Sequence, residues 1–235
     1  MLTQRLGALP ERVVIKMAHA DAAPGRLERE WEVLRQLQAA AHPGAAYFSQ
    51  RLPQPVAFGV AEETGGARAD ALLLRNPAGY WGSLADVMNN YPHGVDPRHA
   101  VWIWRRVLDV LGYVHDIGWV HGQLTPAHLL VQPGDHGMLI IGWGDAQPHA
   151  AHATPARDLM QAAWVIRAML HGDDDEPPIG KHTPAPLAAV LRQSSEDARW
   201  CASAGASGID LALQAAARAA FGAPQFIPFS PTTSR

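Results

Sequence analysis

Eight side chains carry most of the chemistry that this sequence offers: Lys16, Glu30, His121, Gln123, His128, Gly142, Asp145 and Asp158. The densest run is HGQLTPAHLLV, residues 121–131. Gln123 is a neutral amide, so it can position a hydroxyl by hydrogen bonding but cannot take its proton at neutral pH. His128 is the group in that run suited to act as a base. Farther along, LIIGWG (139–144) puts Gly142, which has no side chain, between an apolar run and Trp143. Asp145 follows directly, the nearest carboxylate that could face a metal ion. Upstream, Lys16 ends the apolar run VVIK, and Glu30 lies in a charged segment with the spacing E-x-x-V-L-x-x-L. Lys16 and Glu30 can pair and fix a helix against a sheet, whether or not a phosphate is present. His121 and Asp158 suit internal hydrogen-bonding anchors, because buried polar groups need partners.

Other clusters are weaker. Cys201 is the single cysteine, in RWCASAG with no marked basic partner, which favours a packed thiol over a nucleophile. His149 and His152 lack a third ligand close in sequence and read as a solvent-facing loop. The acidic run 173–176 lacks the glycine and spacing of a calcium loop and reads as a connector. Most of the eight tryptophans, Trp31, Trp104 and Trp164 among them, fall near apolar stripes of predicted helices, which favours core packing.

The elements that must position these groups follow from periodicity. RVVIKMA (12–18) reads as a strand, and residues 25–40 as a helix with Leu27, Trp31, Leu34 and Leu37 on one face. QPVAFGV (54–60) and ALLLRN (71–76) flank a turn-rich stretch and predict a hairpin. GSLADVMNN suits a short helix. Asp96-Pro97 is a cap and first-turn pair opening a long helix to about Ile117. Thr154-Pro155 repeats that signal before a helix to about Leu170. Ser207-Gly-Ile-Asp210 looks like a capping box for a last helix to about Ala220. The tail FGAPQFIPFSPTTSR alternates aromatic and aliphatic residues with prolines, so it predicts either an extended strap on the helical part or a docking segment.

In their order and spacing these segments resemble the two-lobed protein-kinase superfamily. VVIK (13–16) is similar to the kinase lysine strand, HGQLTPAHLLV to the catalytic loop, and LIIGWG to the segment carrying Asp-Phe-Gly. DLMQAAWVIRAMLHG (158–172) is similar to the kinase helix whose first aspartate ties down the catalytic loop. Gly122 resembles the H-G-D form found in aminoglycoside phosphotransferases. The resemblance spans roughly residues 10–172. It implies an α+β fold with a truncated antiparallel sheet and one helix in an N-terminal lobe (1–76), and a mostly helical C-terminal lobe (77–235). It also implies that Lys16 contacts phosphate and pairs with Glu30, and that Asp158 holds the loop. Gln123 then stands where the proton-accepting Asp is expected, His128 where the magnesium-holding Asn is expected, and Gly142 where the metal-binding Asp is expected.

Those three departures, Gln123, His128 and Gly142, remove a general base and both metal positions. His128 is a poor ligand for Mg²⁺, which prefers hard oxygens. Gly7 is the single glycine in the 15 residues before Lys16, too little for a glycine-rich loop. The stretch from Asp145 to Ala153 has no A-P-E motif and is too short for a peptide platform. The expectation is a catalytically inactive pseudokinase that binds an unidentified protein partner, with no cofactor and no metal. Two alternatives stay open. One is an atypical phosphotransferase on a small molecule, using ATP and Mg²⁺ with Lys16, Glu30 and Asp145 at the nucleotide. The other is a nucleotide-binding switch without turnover.

Composition narrows the partners. The chain has 235 residues, 48% of them hydrophobic, which is enough for a sizeable core. A net charge of -3 leaves no footprint for nucleic acid or an anionic membrane surface. No apolar run reaches the length of a membrane span, and no signal-peptide core is present at the N-terminus. A single cysteine excludes an internal disulfide, and the expected location is a reducing cytoplasm. Only Lys16 and Lys181 are lysines among 19 basic residues, an arginine bias that suggests a GC-rich bacterial genome.

Overall fold

The computed structural model describes residues 11–18, 23–62, 66, 68–171, 179 and 182–232. The expectations about a glycine-rich loop before Lys16 and about the acidic run 173–176 fall outside the described residues. Strand β1 (Glu11–Met17), helix α1 (Arg26–Ala39), a short helix α2 (Ala45–Phe48) and strands β2 (Gln54–Glu62) and β3 (Arg68–Pro77) build the first lobe. Its sheet is antiparallel in the order β1-β3-β2. Side chains alternate across a strand, so Val14 and Lys16 share a face with Leu72 and Leu74. That face packs against α1, whose Glu30, Val33, Leu34 and Leu37 are buried. Ile15, one residue out of phase, is 63% exposed.

The second lobe is mostly helical. After β4 (Gly82–Ser83) comes α3 (Leu84–Asn90), started by a full capping box in which Ser83 and Asp86 satisfy each other's backbone donors. Helix α4 (Pro97–Asp116) runs through the centre, opened by Asp96, whose carboxylate accepts from the Arg98 N–H. Its spacing predicts a stripe of Val101, Trp104, Val107, Leu108, Leu111 and Val114, of which all but the half-buried Val101 are fully buried. β5 (Trp119–Val120) then leads into the polar run. β6 (Leu129–Gln132) and β7 (Gly137–Ile140) form a hairpin across Pro133-Gly134-Asp135-His136, and β8 (Gln147–Pro148) pairs with β5. Helix α5 (Pro155–His171) follows the predicted cap. The order of elements is the two-lobed α+β arrangement of protein kinases. Among the described residues no helix is long and apolar enough to cross a membrane.

Three features differ from expectation. Helix α6 (Ala185–Glu196) was not anticipated, although Pro186 in its first turn and the i, i+4 pair Leu187–Leu191 mark it. Helix α7 (Ala198–Phe221) begins well before Ser207. Its cap is Asp197, which accepts from the Trp200 N–H, and the helix bends at Gly205 (φ 60°, ψ -177°). The apparent capping box fails because Asp210 turns to α4 instead and pairs with Arg105 at 2.7 Å. Trp164 is also not a core residue. It is 36% exposed, donates to the Ser195 carbonyl at 3.1 Å, and carries the Arg167 guanidinium over its ring. Cys201 is packed and inert: it is fully buried, it lies 3.1 Å from the Ser194 carbonyl, and burial pushes its thiol up to about 11.

The tail lies along the helical lobe as a strap. Phe229 is buried between His99 and the Trp102 ring, and Tyr91 donates to the Ser230 carbonyl at 2.6 Å. His136, in the left-handed region at φ 52°, slots its ring between Trp102 and Phe226, with centroids at 4.2 Å on both sides. Its Nε2–H donates to the Ile227 carbonyl at 2.9 Å. Phe229→Ala should therefore cost about 3 kcal/mol in a urea unfolding experiment, the range for emptying a buried aromatic site. Burial depresses the pKa of both His136 and His99 below the ordinary 6.5. A depressed imidazole favours folding in its neutral form, so this stability is complete above 6.5 and is lost as pH falls through the lowered values. The urea midpoint should be lower near about pH 5 than near about pH 8, and Phe229→Ala should flatten that dependence.

Candidate active site

The site is assembled where α1 and β1 of the small lobe face the 121–131 loop and the turn after β7. Lys16 Nζ donates to Glu30 Oε1 at 2.6 Å, joining sheet to helix. Glu30 is 3% exposed, so its charge needs this partner. The same Oε1 accepts from the Trp143 N–H at 3.3 Å, which ties α1 to the turn Trp143–Asp145. Trp143 is itself fully buried, donates from its indole to the Ile140 carbonyl at 2.9 Å, and meets the His121 ring edge-on at 4.7 Å.

The loop below is anchored by Asp158, fully buried in the first turn of α5. Its Oδ2 accepts from the His121 N–H at 2.7 Å and sits 3.0 Å from His115 Nε2, and its Oδ1 accepts from the Gly122 N–H at 2.9 Å. Gln161, one turn further along α5, accepts from the Leu124 N–H at 2.9 Å. The His121 side chain, also fully buried, donates from Nε2 to the Ile141 carbonyl at 3.0 Å. Desolvation lowers its pKa and keeps the ring neutral. His121 and Asp158 therefore join the loop to both β7 and α5.

Gln123, His128, Gly142 and Asp145 are brought together by this frame. His128 Nδ1 lies 2.7 Å from the Gln123 carbonyl, which can only accept, so Nδ1 carries a proton. The imidazole lies over Gly142, which sits at φ 83°. A Cβ built at Gly142 would stand 2.6 Å from His128 Cδ2 and 2.7 Å from Nε2. The place of a side chain at 142 is thus occupied by His128. Gly144 is closed in the same way, since a Cβ there would stand 2.7 Å from Arg26 Cγ and 3.1 Å from the Arg26 carbonyl oxygen.

Arg26 is the residue that sequence reasoning missed. From the first turn of α1 its guanidinium forms an ion pair with Asp145 and lies 3.3 Å from Gln123 Oε1. One side chain of the small lobe thereby holds both Gln123 and Asp145 of the large lobe. Pairing across 119 residues leaves no trace in local periodicity. The cavity beside these groups has a volume of about 430 Å³ and is lined by Lys16, Arg26, Glu30, Asp70, His128 and Gly142 among others. Within it, Lys16 is paired with Glu30 and Arg26 with Asp145. Among the described residues no group of three His, Cys, Asp or Glu side chains converges to hold a metal ion. His149 and His152 are exposed, and His152 Nε2 contacts Gln147 Oε1 at 3.3 Å.

The sequence profile of the lipopolysaccharide kinase (Kdo/WaaP) family matches residues 6–143, from before β1 to the turn after β7. The chain belongs to that family. Among solved structures, the kinase domain of PF14_0431 superposes with a TM-score of 0.53 at 13% identity, covering 73% of this chain and 60% of that one. That likeness shows the fold, and the chain spans 60% of the length of the kinase domain it matches. No curated protein matches the chain. For a Kdo/WaaP chain, the matched stretch holds Lys16, Glu30, His121, Gln123, His128 and Gly142, whereas Asp145 and Asp158 lie beyond it.

The packing at Gly142 makes a definite prediction. Gly142→Asp restores a carboxylate on paper, but it forces a Cβ into the His128 ring and an L side chain into a left-handed backbone. It should cost about 2 kcal/mol or more in denaturant unfolding and leave Mg²⁺ affinity, followed by calorimetry, no higher than in the wild type.

Proposed function

We propose that this member of the Kdo/WaaP family is a pseudokinase, which works by binding a protein partner through its kinase-like fold. The carrying observation is the filling of the metal position: Gly142 offers no ligand, and the His128 ring stands where an aspartate side chain would project. The Arg26–Asp145 ion pair supports the same reading, because it occupies the nearest alternative carboxylate. Gln123, held beside Arg26 at 3.3 Å, supplies an amide where proton transfer needs a base. Without a free carboxylate at these places, the Mg²⁺ of a bound nucleotide has no ligand where kinases place one. Lys16 then serves the fold, holding α1 against the sheet through Glu30.

A second reading rests on one observation. His128 lines the same cavity as Lys16, the arrangement that an atypical phosphotransferase using His128 as base would need.

The test is a thermal-shift titration with Mg-ATP. A ligand that binds the folded state at about a hundred times its Kd stabilises it by about 2.7 kcal/mol, which moves the Tm by several degrees. The pseudokinase reading expects no shift up to millimolar Mg-ATP, and a concentration-dependent rise refutes it. Radiolabelled ATP with cell extract separates the remaining cases. Label transfer that disappears in Lys16→Ala establishes the phosphotransferase, and tight binding without turnover selects a nucleotide-dependent switch.

A further inference from the structure

A second cavity lies on the far side of the helical lobe, between α4, the end of α7 and the strap, with a volume of about 480 Å³. That is within the range of small-molecule pockets, about 300–1,000 Å³. Its body is apolar: Val101 and Trp102 from α4, Phe221 from α7, and Pro224 and Ile227 from the strap. The Trp102 ring is held flat by its stack on His136, with an interplanar angle of 6°. A rigid aromatic plane of this kind suits the face of another ring.

The charged lining has one sign. Arg98, Arg105 and Arg218 contribute to the wall, and no acidic side chain lines it among the described residues. Arg98 is neutralised by Asp96 at 2.6 Å and Arg105 by Asp210 at 2.7 Å, both outside the cavity lining. Gln214, also in the wall, donates to the same Asp210 at 2.6 Å. Arg218 is different: its guanidinium makes no ion pair or hydrogen bond with any described residue. Its backbone carbonyl accepts from the Gly222 N–H at 3.0 Å, which fixes the helix end from which the side chain projects. Burial lowers the His136 pKa, outweighing its bond to the Ile227 carbonyl, which favours the charged ring.

We propose that this cavity is a binding site for a small ring-bearing monoanion, a carboxylate or sulfonate whose apolar body lies against Trp102 and Phe221 and whose charge is met by Arg218. Backbone of the strap, from Gly222 to Ile227, forms one wall, so an occupant also holds the strap in place. The site is separate from the cleft around Lys16 and does not depend on whether that cleft binds nucleotide.

The test uses the whole chain, isothermal calorimetry, and two probes of nearly equal shape, naphthalene sulfonate and the neutral naphthol. The sulfonate should bind at a single saturable site and more tightly than naphthol. Arg218→Glu, a change at an exposed position, should weaken the sulfonate at least about ten-fold, the scale of a lost charge-assisted hydrogen bond, and leave naphthol unchanged. Ala215→Trp, which fills the cavity from the exposed side of α7, should abolish binding of both. Circular dichroism of each variant confirms that it is folded before titration. The proposal is overturned if the sulfonate fails to saturate by millimolar concentration or binds no tighter than naphthol. It is equally overturned if sulfonate binding is unchanged by Arg218→Glu or survives Ala215→Trp.

Discussion

A fully buried carboxylate governs the large lobe's half of the cleft. Asp158 has no water to solvate it, so its charge must be met by donors fixed in place. Two of these are backbone N–H groups, of His121 and Gly122, and the Asp158 carboxylate also sits beside the imidazole of His115 on α4. The loop is therefore pinned where its chain enters, and its shape does not depend on a bound ligand. His121 passes the constraint on by donating to the Ile141 carbonyl, directly before Gly142. These interactions hold the backbone geometry of the loop.

What the loop presents is a set of polar groups already satisfied from within the chain. In a metal-dependent kinase the strong local charges are the ions and the phosphates, and the protein's carboxylates are arranged around them. Here the order of pairing is internal. Lys16 is met by Glu30, Asp145 by Arg26, and the Nδ1 proton of His128 by the Gln123 carbonyl. An incoming Mg-nucleotide would have to break the Arg26–Asp145 pair, and it would find at Gly142 an imidazole edge in place of an oxygen. Arg26 and Asp145 are both partly solvated, so their pair is modest in energy. The obstacle at Gly142 is steric, and salt does not weaken it.

Most of the fold was legible because its elements obey local rules. The alternation in β1 and β3, the Asp96-Pro97 cap and the buried stripe of α4 each follow from neighbours in sequence. The motif positions were legible too, since their spacing resembles a known superfamily. Three things were not. Arg26 acts across 119 residues, and nothing around Pro24-Gly25 announces that its side chain crosses to Asp145. Helix α7 starts ahead of the Ser207 signal, because Cys201 and Ala206 are buried against the core and draw the segment into helix. Asp210 looked like the acidic member of a capping box, yet a tertiary partner, Arg105, competes for it and wins. In each case long-range pairing overrode a local signal.

The strap shows how one histidine serves two structures. His136 closes the β6–β7 turn with a left-handed backbone, and that turn lies one short strand from Ile141 and the cleft. Its ring, projecting the other way, is stacked between Trp102 and Phe226 and bonded to Ile227. Its backbone carbonyl accepts from Arg106 of α4 at 3.3 Å, so the turn is fastened to the central helix as well. Strap docking and the residues Ile141 and Gly142 therefore lie at opposite ends of one hairpin strand. Four residues of strand β7, fully ladder-bonded to β6, separate the two sites. Its antiparallel pairing with β6 fixes the register of that strand, with hydrogen-bonded pairs at alternate positions. The back of the helical lobe and the cleft thus share that hairpin as a common structural element.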